Sequence, residues 1–335
     1  MARWYRIIVG SQTFDATSNP NALQVELDIT VAQFAVPHPG QAAWCRVWGI
    51  PLQTVLTANQ FTNKQIQVYG GMSAGLPLAN PNEQGLLVQG TVLPALGNWT
   101  GVNMYVDFYI VPGTLGNPTV PGAANIVHNQ PAQQPLSTAV KNALQTAFPG
   151  FTANVKISPQ LVRPNDEHGF YQSIGQYATF LLNASHDIMK TAGYMGVQVS
   201  VQGTTINVSD GTQGQTGAKT INAWDLIGQP IWTGTNTAQW RTVMRGDFQV
   251  GNTATMPKTL ATLTALNGGQ ASGQGINTIQ GSFRITGIRH VGSFRNPDGS
   301  AWCTIFDGTQ PTSGSSSSTA ITNTATPSGR AGGPV

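Results

Sequence analysis

Charged side chains are scarce in this 335-residue chain, at 9% of its residues against roughly 25% in an average soluble protein. Sixteen Lys and Arg against 13 Asp and Glu leave a net charge of +3. So sparse a balance excludes a protein that neutralises many phosphates of a nucleic acid. Uncharged polar residues take the place of charge, with 38 Thr, 28 Gln and 23 Asn. Because little like-charge repulsion keeps copies of such a chain apart, we predict that it buries much of its surface against other copies or other proteins.

Cysteine and long apolar runs are also lacking. Cys45 and Cys303 are too few for a cysteine metal site, and their wide separation predicts buried free thiols in a reducing compartment. No stretch of about 18 apolar residues is present, which excludes a membrane-spanning helix. The apolar run at the N-terminus is too short for a secretory signal, and no cleavage site follows it, so we expect folding in a cytoplasm.

Alternation of apolar and polar residues dominates the N-terminal third. Residues 23–29 and 102–110 alternate strictly, which predicts half-buried strands. Three further segments are strand-like: 44–50, 65–69 and 85–93. Several short strands closed by Gly and Pro turns favour a small barrel or sandwich.

One short helix and four tryptophans accompany these strands. Pro51 suits the first position of a helix, and we expect this helix to turn three apolar side chains inward: Leu52, Val55 and Leu56. The tryptophans stand beside apolar neighbours in strand-like runs, and we interpret all four as core residues: Trp4, Trp44, Trp48 and Trp302.

Helix and strand patterns mix in the middle of the chain. A helix is predicted over 137–148 with Ser137 as its N-cap. A second helix is predicted over 171–189, with Asn165 or Asp166 as its cap.

Turn and strand signals surround these two helices. Five prolines within 112–135 predict a linker or long loop before the first helix. Residues 152–158 alternate as a strand, and residues 197–208 read as a hairpin around Gln202 and Gly203.

Strand character returns from about residue 218. Residues 243–250 and 283–291 look like strands, and the second leads through an Asn-Pro-Asp-Gly turn into a strand at 301–306. Residues 266–282 are rich in Gly, Gln and Asn, which predicts a flexible loop. Residues 308–335 carry one charge and many Ser and Thr, which predicts a flexible tail.

One formal catalytic motif is present, because residues 71–75 match the G-x-S-x-G pattern around Ser73. In a nucleophile elbow the serine sits on a sharp turn into a helix. Pro77 and Pro81 forbid such a helix here, so we interpret the motif as a Gly-rich turn after a strand.

The acid-and-histidine cluster of the sequence is Asp166, Glu167 and His168. Adjacent side chains point in different directions, so we interpret the cluster as a solvated helix N-terminus rather than a metal site. The remaining histidines stand alone and are predicted to be structural or on the surface: His38, His128, His186 and His290.

The densest basic stretch comprises Arg284, Arg289, His290 and Arg295. Contact with phosphates stays open as an alternative, but we favour a hairpin edge kept soluble by charge. We therefore predict that the chain is not an enzyme and has no catalytic residue, no cofactor-binding residue, no metal ligand and no cofactor. A glycosidase carboxylate pair stays open, since such pairs converge only in the fold.

Five short segments of the chain resemble a known family. Residues 45–50, followed by a short helix and then 65–72, resemble the N-terminal barrel of the tail hub proteins of phages. Residues 244–251 and 288–295, with 302–306 behind them, are similar to the second barrel of baseplate hubs in contractile-tailed phages. The resemblance covers about two thirds of the chain in two separated blocks.

This resemblance implies a mainly β (α+β) fold with two tail-tube-like β-barrel domains and a small α/β domain between them. The implied boundaries follow from the composition changes described above: an N-terminal barrel over 1–127, an α/β domain over 128–210, a second barrel over 211–307, and a flexible tail over 308–335.

The function implied by the resemblance is that of a structural baseplate hub. Three copies would form a homotrimeric, pseudo-sixfold ring that joins the tail tube to the central spike, touches the wedge proteins, and passes DNA only in transit. Such a protein is expected in the virion, after assembly in the host cytoplasm. The alternatives left open are a tail-associated hydrolase of cell wall or polysaccharide, and a carbohydrate-binding module, which exposed aromatics on one face would support.

Overall fold

The computed structural model describes most of the chain: residues 3–16, 23–34, 43–73, 80–112, 123–191, 194–213, 218–234, 236–263 and 278–310. These residues are mainly in β-strands, as predicted, with three α-helices among them. Their apolar side chains form three hydrophobic cores. Within the described residues, no helix has both the length and the apolar character needed to cross a membrane.

Most of the first core is built by elements of the N-terminal third, although Phe34 of this third packs against the second core. The bounds of these elements are β1 Arg3–Val9, β2 Gln12–Asp15, β3 Val25–Thr30, β4 Ala32–Phe34, β5 Ala43–Trp48, α1 Leu52–Leu56, β6 Gln65–Met72, β7 Gly85–Thr100 and β8 Asn103–Pro112. On β3 the side chains of Val25, Leu27 and Ile29 are buried while the residues between them are half-buried. The strands predicted in this third from strict alternation are therefore confirmed.

Helix α1 forms where the sequence predicts it, but it buries less than expected. Val55 is 7% exposed and packs into the first core, whereas Leu52 is 38% and Leu56 is 70% exposed. The prediction that all three face inward is wrong, because a helix of five residues has a single turn to place against the core and these two leucines lie outside it.

The second core is a mixture of helix and strand. Its elements are β9 Ala123–Gln130, α2 Leu136–Ala147, β10 Thr152–Lys156, β11 Glu167–Ser173, α3 Ile174–Met189, β12 Gln198–Gln202 and β13 Thr205–Ser209. Strands β10, β13, β12 and β4 form one sheet, and β11 and β9 pair as a second. The predicted hairpin is confirmed as β12 and β13, with Gly203 in its turn at a φ of 59°.

Three predictions in this region are wrong in detail. The stretch interpreted as a linker contains strand β9. Its inward side chains, such as Ile126, pack in the second core with residues of the two helices. Helix α2 follows Pro135, so Ser137 lies inside it rather than capping it. Helix α3 is capped by Ser173, whose hydroxyl accepts a hydrogen bond from the Gln176 amide, because residues 167–173 form a strand that separates Asn165 and Asp166 from the helix.

The third core uses the C-terminal strands. These are β14 Lys219–Thr220, β15 Ile231–Trp232, β16 Thr237–Val243, β17 Thr253–Leu260, β18 Thr262–Leu263, β19 Thr278–Ser293 and β20 Trp302–Thr309. The predicted hairpin through the Asn-Pro-Asp-Gly turn is confirmed as β19 and β20. In that turn, the carboxylate of Asp298 accepts a hydrogen bond from the Ser300 amide at 2.8 Å.

Three predictions for this part need correction. Only Val243 of the predicted strand 243–250 is in a strand, since the chain turns away at Met244 and enters the interior as irregular backbone. Residues 278–282 belong to β19 rather than to a loop. The predicted tail over 308–335 starts too early, because Gly308 and Thr309 are the last residues of β20. The rest of the predicted loop, and the tail beyond residue 310, lie outside the described residues.

A single ladder connects the first and third cores. Residues of β3 pair antiparallel with β19, from Glu26 opposite Ser293 to Thr30 opposite Arg289. The result is a 14-stranded sheet whose main path runs β18-β15-β16-β20-β19-β3-β5-β8-β7-β6-β1-β2. This path does not close on itself among the described strands, so the two closed barrels and the domain boundaries stay predictions.

Candidate functional site: a buried charge cluster and an outer sheet face

The serine motif ends a strand that is anchored in the core. Gly71 and Met72 close strand β6, and the Trp302 indole donates a hydrogen bond to the Gly71 carbonyl at 2.9 Å. Ser73 follows directly, while Ala74 and Gly75 lie outside the described residues. The motif therefore begins inside the strand rather than after it, and the interpretation of its remaining residues as a turn stays a prediction.

The three residues of the acid-and-histidine cluster have separate partners. The Asp166 carboxylate accepts a hydrogen bond from the Ala132 amide at 2.7 Å, and the Glu167 carboxylate pairs with Arg163 at 2.7 Å. His168 lies exposed on strand β11. The predicted helix N-terminus is wrong, because Glu167 and His168 begin a strand. A surface pocket of about 450 Å³ lies beside them, and charges of both signs line it.

The basic stretch is divided between two faces and does not form one patch. Arg284 bonds to the Ser209 hydroxyl at 2.9 Å, Arg289 pairs with Asp28 at 2.5 Å, and His290 is fully buried. Strand β19 lies inside the sheet, between β20 and β3, so the interpretation of a charged hairpin edge is wrong. No group of three His, Cys, Asp or Glu in the described ranges is arranged to hold a metal ion.

A buried charge cluster lies where the first and third cores meet, and it centres on Arg245. The Arg245 guanidinium makes two hydrogen bonds of 3.0 Å to the Asp247 carboxylate. Its other terminal nitrogen lies 3.3 Å from Glu83 and 3.6 Å from Asp225. The side chains of these last two acids and of Arg245 are at most 8% exposed. Lys219 also pairs with Asp247, at 3.5 Å from a half-exposed position.

Backbone contacts also connect the first and third cores at this cluster. The Gly246 amide donates to the Glu83 carbonyl at 2.8 Å, and no room exists for a Cβ at Gly85 against the Gly246 carbonyl. Glu83 belongs to the chain between β6 and β7, whereas Arg245 and Gly246 follow β16. The cluster therefore connects the two β-rich parts of the chain. With three carboxylates against Arg245 and Lys219, its formal charge is −1.

The excess acid in this cluster gives Glu83 an unusual protonation equilibrium. Burial raises the pKa of Glu83 above its ordinary value, and the charges of Asp225 and Asp247 add to this, although Arg245 opposes it. An acid whose pKa is raised on folding contributes stability below its unfolded pKa, and this contribution is lost as the pH rises through its folded pKa.

We therefore expect Glu83→Gln to be at least as stable as the wild type at pH 7. The amide keeps the shape of the side chain without its buried charge. The wild type should gain on the variant as the pH falls towards 4. Thermal unfolding midpoints of both proteins across this pH range measure the difference. The prediction is contradicted if the variant compares less well with the wild type at pH 7 than at pH 4.

An aromatic and charged grid covers the face of strands β5 and β8 that points away from the core. Arg46 makes a bidentate pair with Asp107, at 2.6 and 3.0 Å. Its guanidinium lies 4.1 Å from the centre of the Tyr105 ring and 5.2 Å from the Trp48 ring. Trp44 faces Tyr109 across the same two strands. Cation–π contact and a bidentate pair both hold Arg46 in one orientation.

The interpretation of the tryptophans as core is right for one and wrong for others. Trp302 is 1% exposed, and its ring packs among the first core. Trp44 and Trp48 alternate with the buried Cys45 and lie on the opposite face, half-exposed. The signal that identifies their face is Arg46, which shares their parity on the strand. The two cysteines are confirmed as buried and free.

The outer face continues from this grid across seven strands, β16, β20, β19, β3, β5, β8 and β7. Cross-strand pairs place its side chains on one side of the sheet. Its charged residues are four arginines and four acids: Arg46, Arg241, Arg284, Arg289, Glu26, Asp28, Asp107 and Asp307. The face is therefore close to electrically neutral, and charges such as Arg289 and Asp28 neutralise each other by pairing.

The comparisons with known proteins concern structure alone. No protein-family model and no curated protein matches the sequence. A tail protein from Neisseria meningitidis MC58 superposes with a TM-score of 0.46 and 9% identity, over 92% of this chain and 97% of its own. A 43 kDa tail protein of prophage MuSo2 from Shewanella oneidensis gives 0.49 and 7%, over 92% and 97%.

A third similar structure comes from a secretion system. The E. coli c3393 protein, a component of the type VI secretion system with structural similarity to the T4 bacteriophage tail proteins gp27 and gp5, has a TM-score of 0.45 and 9% identity. The match covers 86% of this chain and 73% of that protein.

Proposed function

We propose that this chain is a structural subunit of a phage tail, a baseplate hub that assembles as a homotrimer and joins the tail tube to the central spike. The observation that carries the proposal is the continuous sheet. Pairing of β3 with β19 fuses two β-rich parts into one wall, and its main path ends in strands β2 and β18 that have one described neighbour each. Open sheet edges must be paired or covered, and a ring of copies supplies such cover.

The near-neutral outer face suits the wall of a DNA passage. Four arginines against four acids, with Arg46–Asp107 and Arg289–Asp28 as ion pairs, leave no excess of positive charge for phosphates to bind. In our proposal this face lines the lumen of the ring, and DNA touches it only in transit. Wedge proteins, the tube and the spike contact other surfaces of the same ring, in a virion assembled in the host cytoplasm.

We further propose that the chain acts without catalysis. The candidates for chemistry lie apart in the described structure: Ser73 follows β6 in the first core, while Asp166, Glu167 and His168 border the second. Arg245 and its three acidic neighbours form ion pairs with one another inside the protein. Zymography on purified cell wall tests this proposal, and lysis by the purified chain alone would contradict it.

Mass photometry of the purified chain tests the assembly. We expect a species of three times 35.3 kDa, alone or once the spike protein is added, because each copy has open sheet edges and few repelling charges. A chain that stays monomeric at micromolar concentration, and binds neither spike nor tube protein, would overturn the proposed function.

A further inference from the structure

A surface without charge lies at one end of the first core. It comprises residues 51–62, which contain α1, and residues 93–105, which form the end of the β7–β8 hairpin; we call it the α1–hairpin surface. Neither segment contains a charged residue or histidine. Its exposed large apolar side chains are Leu52, Leu56, Leu93, Trp99 and Val102, with Leu56 at 70%, Trp99 at 64% and Val102 at 93% exposure. Leu96, Asn98 and Tyr105 of the same hairpin point to its other side, the outer face that carries Asp107, and are not part of this surface.

The two segments form one continuous surface. The backbone of Val55 in α1 lies so close to Gly97 in β7 that no side chain fits there. The Ala95 amide donates to the Thr62 hydroxyl at 3.3 Å, and this bond connects the end of the first segment to the start of the second. The exposed leucines of α1 and the exposed residues of the hairpin are therefore held together by direct backbone packing.

The composition of this surface fits a protein interface. Trp is enriched in interface cores, whereas Asp, Glu and Lys are depleted there. Exposed apolar side chains of this number without one charge are a cost in water that burial against another protein removes.

A second apolar face lies on another part of the chain. In the sheet of β9 and β11, Val127 and Phe170 pair across the strands and point outward, at 61% and 59% exposure. Their exposed neighbours on this β9–β11 face are polar but uncharged, apart from His168: Asn125, Asn129 and Gln172. This face covers the second core, so it is distinct from the α1–hairpin surface of the first.

We infer that the α1–hairpin surface of one copy packs against the β9–β11 face of the next copy. This inference rests on the proposed trimer and names its contact. A closed ring of identical chains needs two different patches on each copy, in head-to-tail contact. The two surfaces are matched in charge, because neither presents an Asp, Glu, Lys or Arg that the other would leave unpaired.

The experiment uses one full-length variant for each surface. Leu56→Asp with Trp99→Asp places charge on the first surface, and Val127→Asp with Phe170→Asp on the second. All four side chains are more than half exposed, so circular dichroism and the unfolding midpoint should match the wild type. We expect each variant to be monomeric, with its assembly midpoint raised by about 100-fold or more, as for loss of two interface anchors.

Mixing the two variants tests the pairing itself. Each variant keeps the surface that the other has lost, so an equimolar mixture should give a one-to-one dimer and no trimer. Trp224→Asp, at a 63% exposed tryptophan near the third core, is the matched control and should stay trimeric. A trimer in either double variant, or folded variants that form no dimer when mixed, would overturn the inference. If the wild type is itself a monomer that binds no tail protein, the proposed function fails before any variant is compared.

Discussion

Replacing Arg245 by Met is expected to destabilise the folded chain by about 3–5 kcal/mol, the range for removing one member of a buried ion pair. Arg245 is 4% exposed and is the counter-charge for three acids at distances of 3.0–3.6 Å. Its loss leaves Glu83, Asp225 and Asp247 facing one another with Lys219 alone, which reaches Asp247 from the surface. Methionine fills similar space over the Phe248 ring but carries no charge.

Denaturant unfolding measures the free energy, and hydrogen exchange locates the damage. We expect exchange to increase first at the Gly246 amide, since its acceptor is the Glu83 carbonyl across the joint. Adding Glu83→Gln and Asp225→Asn to the Arg245→Met variant should recover part of the loss, because neutral amides need no counter-charge.

The control is an ion pair of similar length at the surface. Arg289 bonds to Asp28 at 2.8 Å from a side chain that is 52% exposed. Exposed pairs contribute about 0–1 kcal/mol, so Arg289→Met should cost no more than that. If both arginine variants lose the same small amount, the Arg245 cluster does not hold the two cores together.

Local pattern predicts the strands of this fold but not always which side of them is buried. Alternation identifies β3 and β8, and turn chemistry identifies the β12–β13 and β19–β20 hairpins, because these signals lie within a few residues. Strand β5 has two candidate inner sets, Ala43 with Cys45 and Val47, or the two tryptophans. The smaller residues face the core, on the same side of the sheet as the residues that pair with Cys45 on β3 and β8. Arg46 lies on the other face, where it pairs with Asp107.

The charge cluster could not be predicted from sequence for a physical reason. Glu83 and Arg245 belong to different parts of the chain, and a Glu at the end of a stretch rich in Gly, Pro and Asn looks no different from any solvated acid. Glu83 joins the cluster because it is buried and because its partner Arg245 is distant in sequence, and the residues next to Glu83 indicate neither. The same holds for Ser173, which caps α3 only because the preceding residues pair with β9 as a strand.

Two buried histidines should make the fold acid-sensitive. Burial lowers the pKa of His290 to about 3 and that of His128 to about 4. Their rings bond to the Thr304 hydroxyl at 3.0 Å and to the Tyr177 hydroxyl at 2.9 Å. Nε2 of His290 is buried without a hydrogen-bond partner among the described residues, whereas the Gln130 side chain also bonds to His128 and opposes the effect of burial on its pKa. Both rings are therefore neutral in the folded chain through the physiological range.

The sign of the effect follows from proton uptake. A histidine whose pKa is lowered by folding contributes stability above its unfolded value of about 6.5, and the contribution is lost as the pH falls towards the folded pKa. Between pH 6.5 and 4, each ring should reduce the free energy of unfolding by about 1.4 kcal/mol per pH unit. Two such rings give a slope of about 2.8 kcal/mol per pH unit, which unfolding curves at several pH values measure directly.

Variants separate the two histidines from the other groups that titrate. His290→Gln and His128→Gln should each flatten the slope by about half, whatever each does to stability at pH 7, because the amide takes up no proton on unfolding. Glu83→Gln should have the opposite effect, since the raised pKa of Glu83 gives stability on acidification and removing it steepens the decline. If His290→Gln leaves the slope of unfolding free energy against pH unchanged, the His290 ring must already be protonated or solvated in the folded chain. Water that reaches His290 would also mean that the Arg245 cluster is not separated from solvent.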